Sequence, residues 1–152
     1  MTHQTDTKNI VILGATGSVG TSALEVVRAF PDTLRVVGLS ANSQAEKLAR
    51  LAREFNPDAV TLTDADKRYE LQSRLKDTET DVLWGEKGLR RLAERPDADV
   101  VLSAIAGAAG LPAAMCALKA GHTLALANKE ALVMAGPLVT ELAADNDAAI
   151  LP

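Results

Sequence analysis

The sequence has few features that would cross-link the chain or carry it across a membrane. It contains one cysteine, Cys116, among 152 residues, which excludes an internal disulfide and fits a reducing compartment. Residues 1–7 are polar and lack the basic start and apolar stretch of a signal peptide. No apolar run approaches the roughly 20 residues of a membrane span. We therefore expect a cytoplasmic protein without a membrane partner.

Positive charge is not in excess either. The net charge is −4 at pH 7 and the isoelectric point is near 5.2, which argues against nucleic acid as a partner. Hydrophobic residues make up 47% of the chain, enough for the core of one domain. An anionic ligand would have to be held by backbone N–H groups and a few local cations.

Short runs rich in β-branched residues and leucine alternate with amphipathic stretches. Several runs are apolar throughout, which is typical of strands buried on both faces of a parallel sheet. The predicted strands are Asn9–Leu13, Leu34–Leu39, Ala59–Leu62, Asp81–Trp84, Asp99–Ser103, Thr123–Ala127 and Ala148–Leu151, and the predicted helices are Val19–Ala29, Gln44–Phe55, Ala65–Lys76, Lys87–Glu94, Leu111–Ala120 and Lys129–Ala144.

This alternation predicts an α/β fold, a doubly wound parallel sheet of the Rossmann type with about seven strands and helices on both faces. No low-complexity linker divides the chain. We therefore expect one domain over residues 8–152, after a disordered polar N-terminus at residues 1–7.

A glycine-rich turn follows the first predicted strand directly. Gly14, Gly17 and Gly20 are spaced Gly-x-x-Gly-x-x-Gly, and a helical pattern begins at Ser18. A strand, a glycine turn and a helix N-terminus together hold a dinucleotide pyrophosphate, because glycine lets the backbone approach and the helix offers free N–H groups. The hydroxyls of Thr16 and Ser18 are also available to phosphates. A plain turn could use these glycines for packing, but their place before repeated strand–helix units favours dinucleotide binding.

The end of the second predicted strand lacks an acidic residue. NAD-dependent enzymes commonly place Asp or Glu there to bond the ribose 2′-hydroxyl. This sequence has Asn42, Ser43 and Gln44 instead, which can donate to a 2′-phosphate that an acid would repel. NADP(H) is therefore favoured. Lys47 is the nearest cation, and we interpret it mainly as an exposed helix lysine.

Two further segments follow predicted strands and should face the same crevice. Ala104 and Ile105 belong to a run of small residues suited to the nicotinamide half of a cofactor, although a tight turn would also explain them. Asn128 is a plausible helix N-cap, and Glu130 favours the helix dipole. Lys129 opposes that dipole, so it is better suited to a substrate anion or hydroxyl.

The remaining polar and sulfur-containing residues are interpreted as structural. We expect His122 in an exposed turn, and we assign Cys116, Met115 and Met134 to the core. No paired carboxylates show metal-ligand spacing, so the sequence predicts no metal site.

Three motifs in order, Gly14–Gly20, Ala104–Leu111 and Ala127–Val133, resemble the 1-deoxy-D-xylulose 5-phosphate reductoisomerase family. The resemblance covers residues 8–152. It implies an NADPH-dependent oxidoreductase that converts 1-deoxy-D-xylulose 5-phosphate to 2-C-methyl-D-erythritol 4-phosphate in isoprenoid precursor synthesis. It also implies a magnesium or manganese ion and a homodimer at full length.

The same resemblance assigns roles to individual residues. It implies that Lys129 contacts the sugar-phosphate substrate as a catalytic residue. Some family members carry Gly-Lys-Asn where this chain has Asn42-Ser43-Gln44, and the sequence departs from them there. The cofactor-binding residues that the resemblance implies are Thr16, Gly17, Ser18, Val19, Asn42, Ser43, Gln44, Asn128 and Glu130. The glycine spacing adds Gly14 and Gly20 to the predicted cofactor site, and the small residues after the fifth strand add Ala104 and Ile105.

The family's metal ligands begin in a Val-Asp-Ser-Glu-His run that should follow Pro152. We therefore expect the chain to be the cofactor domain alone, without the catalytic and C-terminal domains, and inactive by itself. Two alternatives stay open. Homoserine dehydrogenase is similar in the segments Ala117–His122 and Ala127–Lys129, and a non-catalytic NADP-sensing module would use the same loop.

Overall fold

The computed structural model describes residues 6–127 and 129–151. Strands and helices alternate along this part of the chain, as the sequence predicts. The strands are β1 Lys8–Leu13, β2 Leu34–Ala41, β3 Ala59–Leu62, β4 Asp81–Trp84, β5 Val100–Ser103, β6 Thr123–Leu126 and β7 Ile150–Leu151, and the helices are α1 Ser18–Ala29, α2 Ala45–Phe55, α3 Arg68–Arg74, α4 Gly85–Ala93, α5 Leu111–Lys119 and α6 Lys129–Asp145.

The described strands form one parallel sheet in the order β4-β3-β2-β1-β5-β6-β7. The chain builds the sheet outward from β1 to β4, then crosses back to place β5 on the other side of β1. Ligands of such sheets bind beyond the carboxyl ends of the strands where this reversal occurs. The doubly wound fold is confirmed, and its topology locates the crevice between β1 and β5.

Helices cover both faces of the sheet, and each face has its own apolar core. On one face Leu92 of α4 and Leu118 of α5 pack with Val11 of β1 and with residues of α6. On the opposite face Leu24 and Leu48 pack with neighbours from α1, α2 and α3. Successive residues of a strand point to opposite faces. A central strand such as β1 is therefore apolar at every buried position, which is the pattern seen in the sequence.

Two predicted helices are interrupted. Between residues 65 and 76 a 3-10 turn at Ala65–Lys67 precedes α3, because the Asp64 carboxylate accepts from the Asp66 N–H at 3.1 Å and starts a separate turn. Helix α6 is broken at Ala135, whose φ of −134° and ψ of 19° are not helical. Pro137 lies two residues later and cannot donate the helical hydrogen bond.

Two structural interpretations of single residues are wrong. His122 is buried, with 8% of its surface exposed. Its N–H donates to the carbonyl of Ala117 at 3.1 Å, which ties the residue beneath α5. Met134 is 62% exposed rather than part of the core, on a segment where Val133 is also exposed, at 83%. Met115 and Cys116 are half-buried.

Candidate functional site

The described residues enclose a cleft of about 660 Å³ at the carboxyl edge of the sheet. The cleft lies where the strand order reverses, as the topology requires. Its lining residues are Gly14, Thr16 and Gly17 after β1; Ser40, Ala41 and Asn42 at the end of β2; Thr63 after β3; Glu86, Leu89 and Arg90 in α4; and Ala104, Ile105, Ala106, Ala109, Pro112 and Ala113 after β5.

Two glycines of the turn after β1 are required by close packing. Gly14 has φ of +85°, and a Cβ there would lie 2.9 Å from the carbonyl oxygen of Ala104. A Cβ on Gly20 would lie 2.3 Å from the Gly14 carbonyl oxygen and 2.7 Å from the Ala15 Cα. Both contacts are with backbone, which cannot move aside cheaply. Packing alone therefore explains these two positions.

Gly17 differs from the other two glycines of the turn. Its φ of −80° is open to any residue, and a Cβ there would meet only the Gly14 carbonyl oxygen, at 3.7 Å. The residue is exposed and lines the cleft. Nothing in the described protein requires a glycine at this position, whereas a ligand approaching the backbone would.

The start of α1 offers an uncompensated positive end to the cleft. The N-cap is Gly17, which has no side chain to accept from the first N–H groups, and no acidic residue lies in the first turn. Helix N–H groups and the helix dipole at such an end attract anions. Ser18 and Val19 are exposed on the first turn, and Gly20 is buried behind the loop.

The β2–α2 segment holds the loop in place. Buried Ser40 accepts from the Gly14 N–H through its hydroxyl at 2.9 Å and from the Ala15 N–H through its carbonyl at 2.7 Å. The Lys47 ammonium donates to the Thr16 carbonyl oxygen at 2.8 Å and is half-buried. The interpretation of Lys47 as an exposed helix lysine is therefore wrong. Helical side chains lean toward their own N-terminus, a signal that could have directed Lys47 to this loop.

The acid-free end of β2 reaches the cleft through Asn42. Its side-chain oxygen accepts from the Thr63 hydroxyl at 2.8 Å, so the ends of β2 and β3 are joined there. Ser43 and Gln44 are exposed and lie outside the set of residues that line the cleft.

Helix α4 contributes lining residues that the sequence analysis missed. A Cβ on Gly88 would lie 2.3 Å from the Thr61 hydroxyl, so α4 approaches β3 closely at this point. The next residues, Leu89 and Arg90, thereby reach the cleft. The amphipathic pattern of α4 shows which residues are polar but not how closely the helix packs, so it gave no signal for Arg90.

The segments after β5 and β6 approach one another. Ala104 and Ile105 line the cleft, and Gly107 has φ of +69°. An Oε2 atom of Glu130 lies 4.0 Å from where a Cβ on Gly107 would be. Glu130 therefore faces the loop that lines the cleft. Asn128 and the side chain of Lys129 lie outside the described residues, and their predicted roles stay predictions.

Residues 6–127 and 129–151 contain neither a membrane-spanning helix nor a cluster of metal-binding side chains. No helix there is long and apolar enough to cross a membrane. Nor do three His, Cys, Asp or Glu side chains come together there in a way that could hold a metal ion.

Comparison with known proteins identifies close relatives of this sequence. The sequence model described as 1-deoxy-D-xylulose 5-phosphate reductoisomerase matches residues 10–136. The enzyme of that name from Thermodesulfovibrio yellowstonii is 45% identical over 145 residues, which is 95% of this chain and 38% of the relative. A DOX-P reductoisomerase solved with NADPH, fosmidomycin and magnesium is 41% identical with a TM-score of 0.92, covering 95% of this chain and 36% of that one.

Two further solved structures distinguish relatives within the family from proteins that share only the fold. The Zymomonas mobilis reductoisomerase in complex with NADPH is 33% identical with a TM-score of 0.92, over 97% of this chain and 38% of that one. A homoserine dehydrogenase from Thiobacillus denitrificans is 18% identical with a TM-score of 0.62, over 96% and 29%. The second likeness shows a shared fold alone.

Proposed function

The chain belongs to the 1-deoxy-D-xylulose 5-phosphate reductoisomerase family, and on that premise we propose that it is the NADPH-binding part of such an enzyme. The whole enzyme would rearrange and reduce 1-deoxy-D-xylulose 5-phosphate to 2-C-methyl-D-erythritol 4-phosphate. The chain spans 38% of the length of its Thermodesulfovibrio relative. We accordingly propose that it binds cofactor but has no reductoisomerase activity alone.

The observation that carries the proposal is the open space in front of Gly17. Packing accounts for Gly14 and Gly20 but not for Gly17, where a glycine suits the N-cap position and lets a ligand approach the backbone. An anionic ligand suits this position, because the start of α1 has no side-chain cap and no acidic residue in its first turn, and the N–H groups and dipole of such a helix end favour negative charge. A dinucleotide pyrophosphate has that charge, and the Zymomonas relative was solved with NADPH.

The second strand supports NADPH over NADH. Ser40, Ala41 and Asn42 bring no carboxylate to the end of β2, so nothing on that strand would repel a 2′-phosphate. We propose that Asn42, Ser43 and Gln44 donate to this phosphate. Along the cleft lining, Arg90 supplies positive charge and Glu86 negative charge, both from α4.

The other end of the cleft is where the chemistry would take place. NADPH supplies hydride when it is bound. We propose that Ala104 and Ile105 exclude water from the nicotinamide, that Asn128 and Glu130 contact the cofactor, and that Lys129 binds and polarises substrate oxygens. The full-length enzyme would also use magnesium or manganese, but the described residues assemble no metal ligands, so no step here depends on the ion. The proposed partners are the sugar phosphate and, at full length, a second copy of the chain.

A calorimetric titration of the 152-residue chain with NADPH and NADH, at one salt concentration, tests the proposal. We expect NADPH to bind about tenfold tighter or more, a difference of about 1.4 kcal/mol. Equal or tighter binding of NADH would contradict the assignment of the 2′-phosphate end. No binding of either dinucleotide would contradict the proposed function itself.

A further inference from the structure

Lys47 is placed unusually for a lysine on the surface of a helix. It lies in α2, its side chain is half-buried, and its ammonium donates to the Thr16 carbonyl oxygen at 2.8 Å. The bond joins residues 31 positions apart in the sequence. Confining a long lysine side chain to one conformation costs entropy, so the hydrogen bond to the carbonyl must offset that cost.

The bond fixes the peptide that joins Thr16 to Gly17. A trans peptide is planar, so its carbonyl and its N–H point in opposite directions. With the Thr16 oxygen turned toward Lys47, the Gly17 N–H must point away from α2. It makes only a long contact of 3.4 Å with the Gly14 carbonyl, which leaves it weakly engaged within the protein.

The same bond also controls charge at the cleft. Thr16 lines the cleft, and a carbonyl oxygen facing a pyrophosphate would repel it. Lys47 holds that oxygen in a charge-assisted hydrogen bond, of the kind that is stronger than a neutral one. Ser40 of β2 also accepts hydrogen bonds from Gly14 and Ala15. These bonds and the Lys47 bond attach the loop to β2 and α2 as far as Thr16.

We propose that Lys47 is a positioning residue that sets the Thr16–Gly17 peptide in the orientation that binds pyrophosphate. This inference rests on the proposed cofactor function. An alternative role is a direct contact between Lys47 and the 2′-phosphate, because α2 begins directly after residues 42–44, which are proposed to hold that phosphate. The pyrophosphate is common to NADH and NADPH, whereas only NADPH carries the 2′-phosphate, so the two roles make different predictions.

The test compares Lys47→Met with Arg50→Met in the 152-residue chain. Each variant removes one positive charge from α2, but Arg50 is exposed and makes no side-chain hydrogen bond or ion pair among the described residues. We expect Lys47→Met to weaken NADPH and NADH binding by a similar factor of about ten, the loss typical of a charged hydrogen bond. Arg50→Met should change both by less than about twofold, and Lys47→Arg should restore binding, because a guanidinium also donates.

Two outcomes of the titration would overturn the proposal. If Lys47→Met weakens the binding of NADPH but not of NADH, Lys47 is a 2′-phosphate ligand. If it binds both dinucleotides as the unaltered chain does, Lys47 has no role in the site. If the unaltered chain binds neither dinucleotide, the proposed function fails instead. In that case the amide spectrum of the ligand-free chain still tests whether Lys47 holds the Thr16–Gly17 peptide in its orientation. The Gly17 N–H resonance should shift in Lys47→Met but not in Arg50→Met, and an unshifted resonance would contradict the proposal.

Discussion

The two edges of the sheet are built differently. At the amino edge, charged groups pair with one another. Asp58 binds Arg35 at 3.0 Å and Arg95 at 3.3 Å, and Arg95 also binds Asp97 at 3.0 Å. The Asn9 side chain donates to the Asp97 carbonyl at 2.8 Å. At the carboxyl edge, the glycine-rich turn after β1 lines a cleft, and the start of α1 beside it has no side-chain cap.

This difference separates residues that hold strands together from residues that leave room for a ligand. Polar groups at the amino edge have partners within the chain, so their loss should affect stability and leave binding alone. At Gly17 the space in front of the backbone is open, since a Cβ there would meet only the Gly14 carbonyl oxygen, at 3.7 Å, so a side chain added there should affect binding far more than stability. The predictions below test this separation, beginning with the position where packing is tightest.

Gly20→Ala should have the largest effect, and it should act on stability. The added Cβ would lie 2.3 Å from one backbone atom and 2.7 Å from another, so the loop or α1 must shift. We expect the free energy of unfolding to fall by about 3 kcal/mol, as measured by urea denaturation. Gly136→Ala is the control, since nothing lies within 4 Å of a Cβ there. An unchanged unfolding midpoint in Gly20→Ala would show that the loop packs more loosely than the structure indicates.

Gly17→Val should separate binding from folding. Its side chain would project into the cleft with only the Gly14 carbonyl oxygen nearby, at 3.7 Å. We expect NADPH affinity to fall by about a hundredfold or more, while circular dichroism stays that of the folded chain and the free energy of unfolding falls by at most about 1 kcal/mol, because valine is disfavoured at an N-cap. A folded variant that binds NADPH normally would remove the phosphate-loop assignment.

Lys129→Ala tests the substrate end of the cleft in a full-length protein that carries this sequence. A cation in the first turn of a helix is locally unfavourable by roughly 0.3–1 kcal/mol, which suggests a role other than helix stability. We expect turnover and substrate affinity together to fall by roughly tenfold or more, with NADPH affinity kept within a few-fold and the fold intact. Unchanged kinetics would show that Lys129 has no role in substrate binding or turnover. Lost NADPH binding with normal chemistry would assign it to the cofactor.

Asp97→Asn should have the smallest effect and tests the amino edge. The hydrogen bond from Arg95 lowers the pKa of Asp97, although partial burial opposes it. A carboxylate with a lowered folded-state pKa stabilises the protein above its unfolded pKa of about 3.9 and loses that contribution as the pH falls through the folded value. Because Asp97 is exposed and Arg95 is half-buried, water screens the pair, and we expect a cost of about 0.5 kcal/mol at pH 7.

The pH dependence and the cofactor provide the controls for that variant. The stability difference between Asp97→Asn and the unaltered chain should shrink when urea denaturation is repeated at pH 3. NADPH affinity at pH 7 should not change. A difference that is constant with pH would show that the ion pair is not its source, and weakened NADPH binding would show that the two edges are coupled.

The fold and the place of the crevice could be predicted from the sequence because both follow from local patterns. Apolar runs such as Asn9–Leu13 indicated buried parallel strands, and the glycine spacing after the first strand indicated a tight turn into a helix, whose role in binding phosphate stays a prediction. The general rule for such sheets placed the crevice at the carboxyl ends of the strands, whereas its location between β1 and β5 depends on the strand order that the structure shows.

Other features could not be predicted because they depend on how closely separate elements approach. Lys47 contacts a loop 31 residues away, and Arg90 reaches the cleft only because Gly88 lets α4 approach β3. His122 is buried by α5, although its local sequence is typical of an exposed turn. Such contacts leave no periodic signal along the chain.

The most direct measurement of the central claim is an amide NMR titration of the 152-residue chain with NADPH. The claim is that the pyrophosphate lies on the loop at the carboxyl edge of the sheet. We predict that the amide resonances of Gly14, Gly17 and Ser18 shift on binding, while those of Asn9 and Asp97 at the amino edge stay in place. Shifts centred on the amino edge, or none at the loop when NADPH is bound, would contradict the claim.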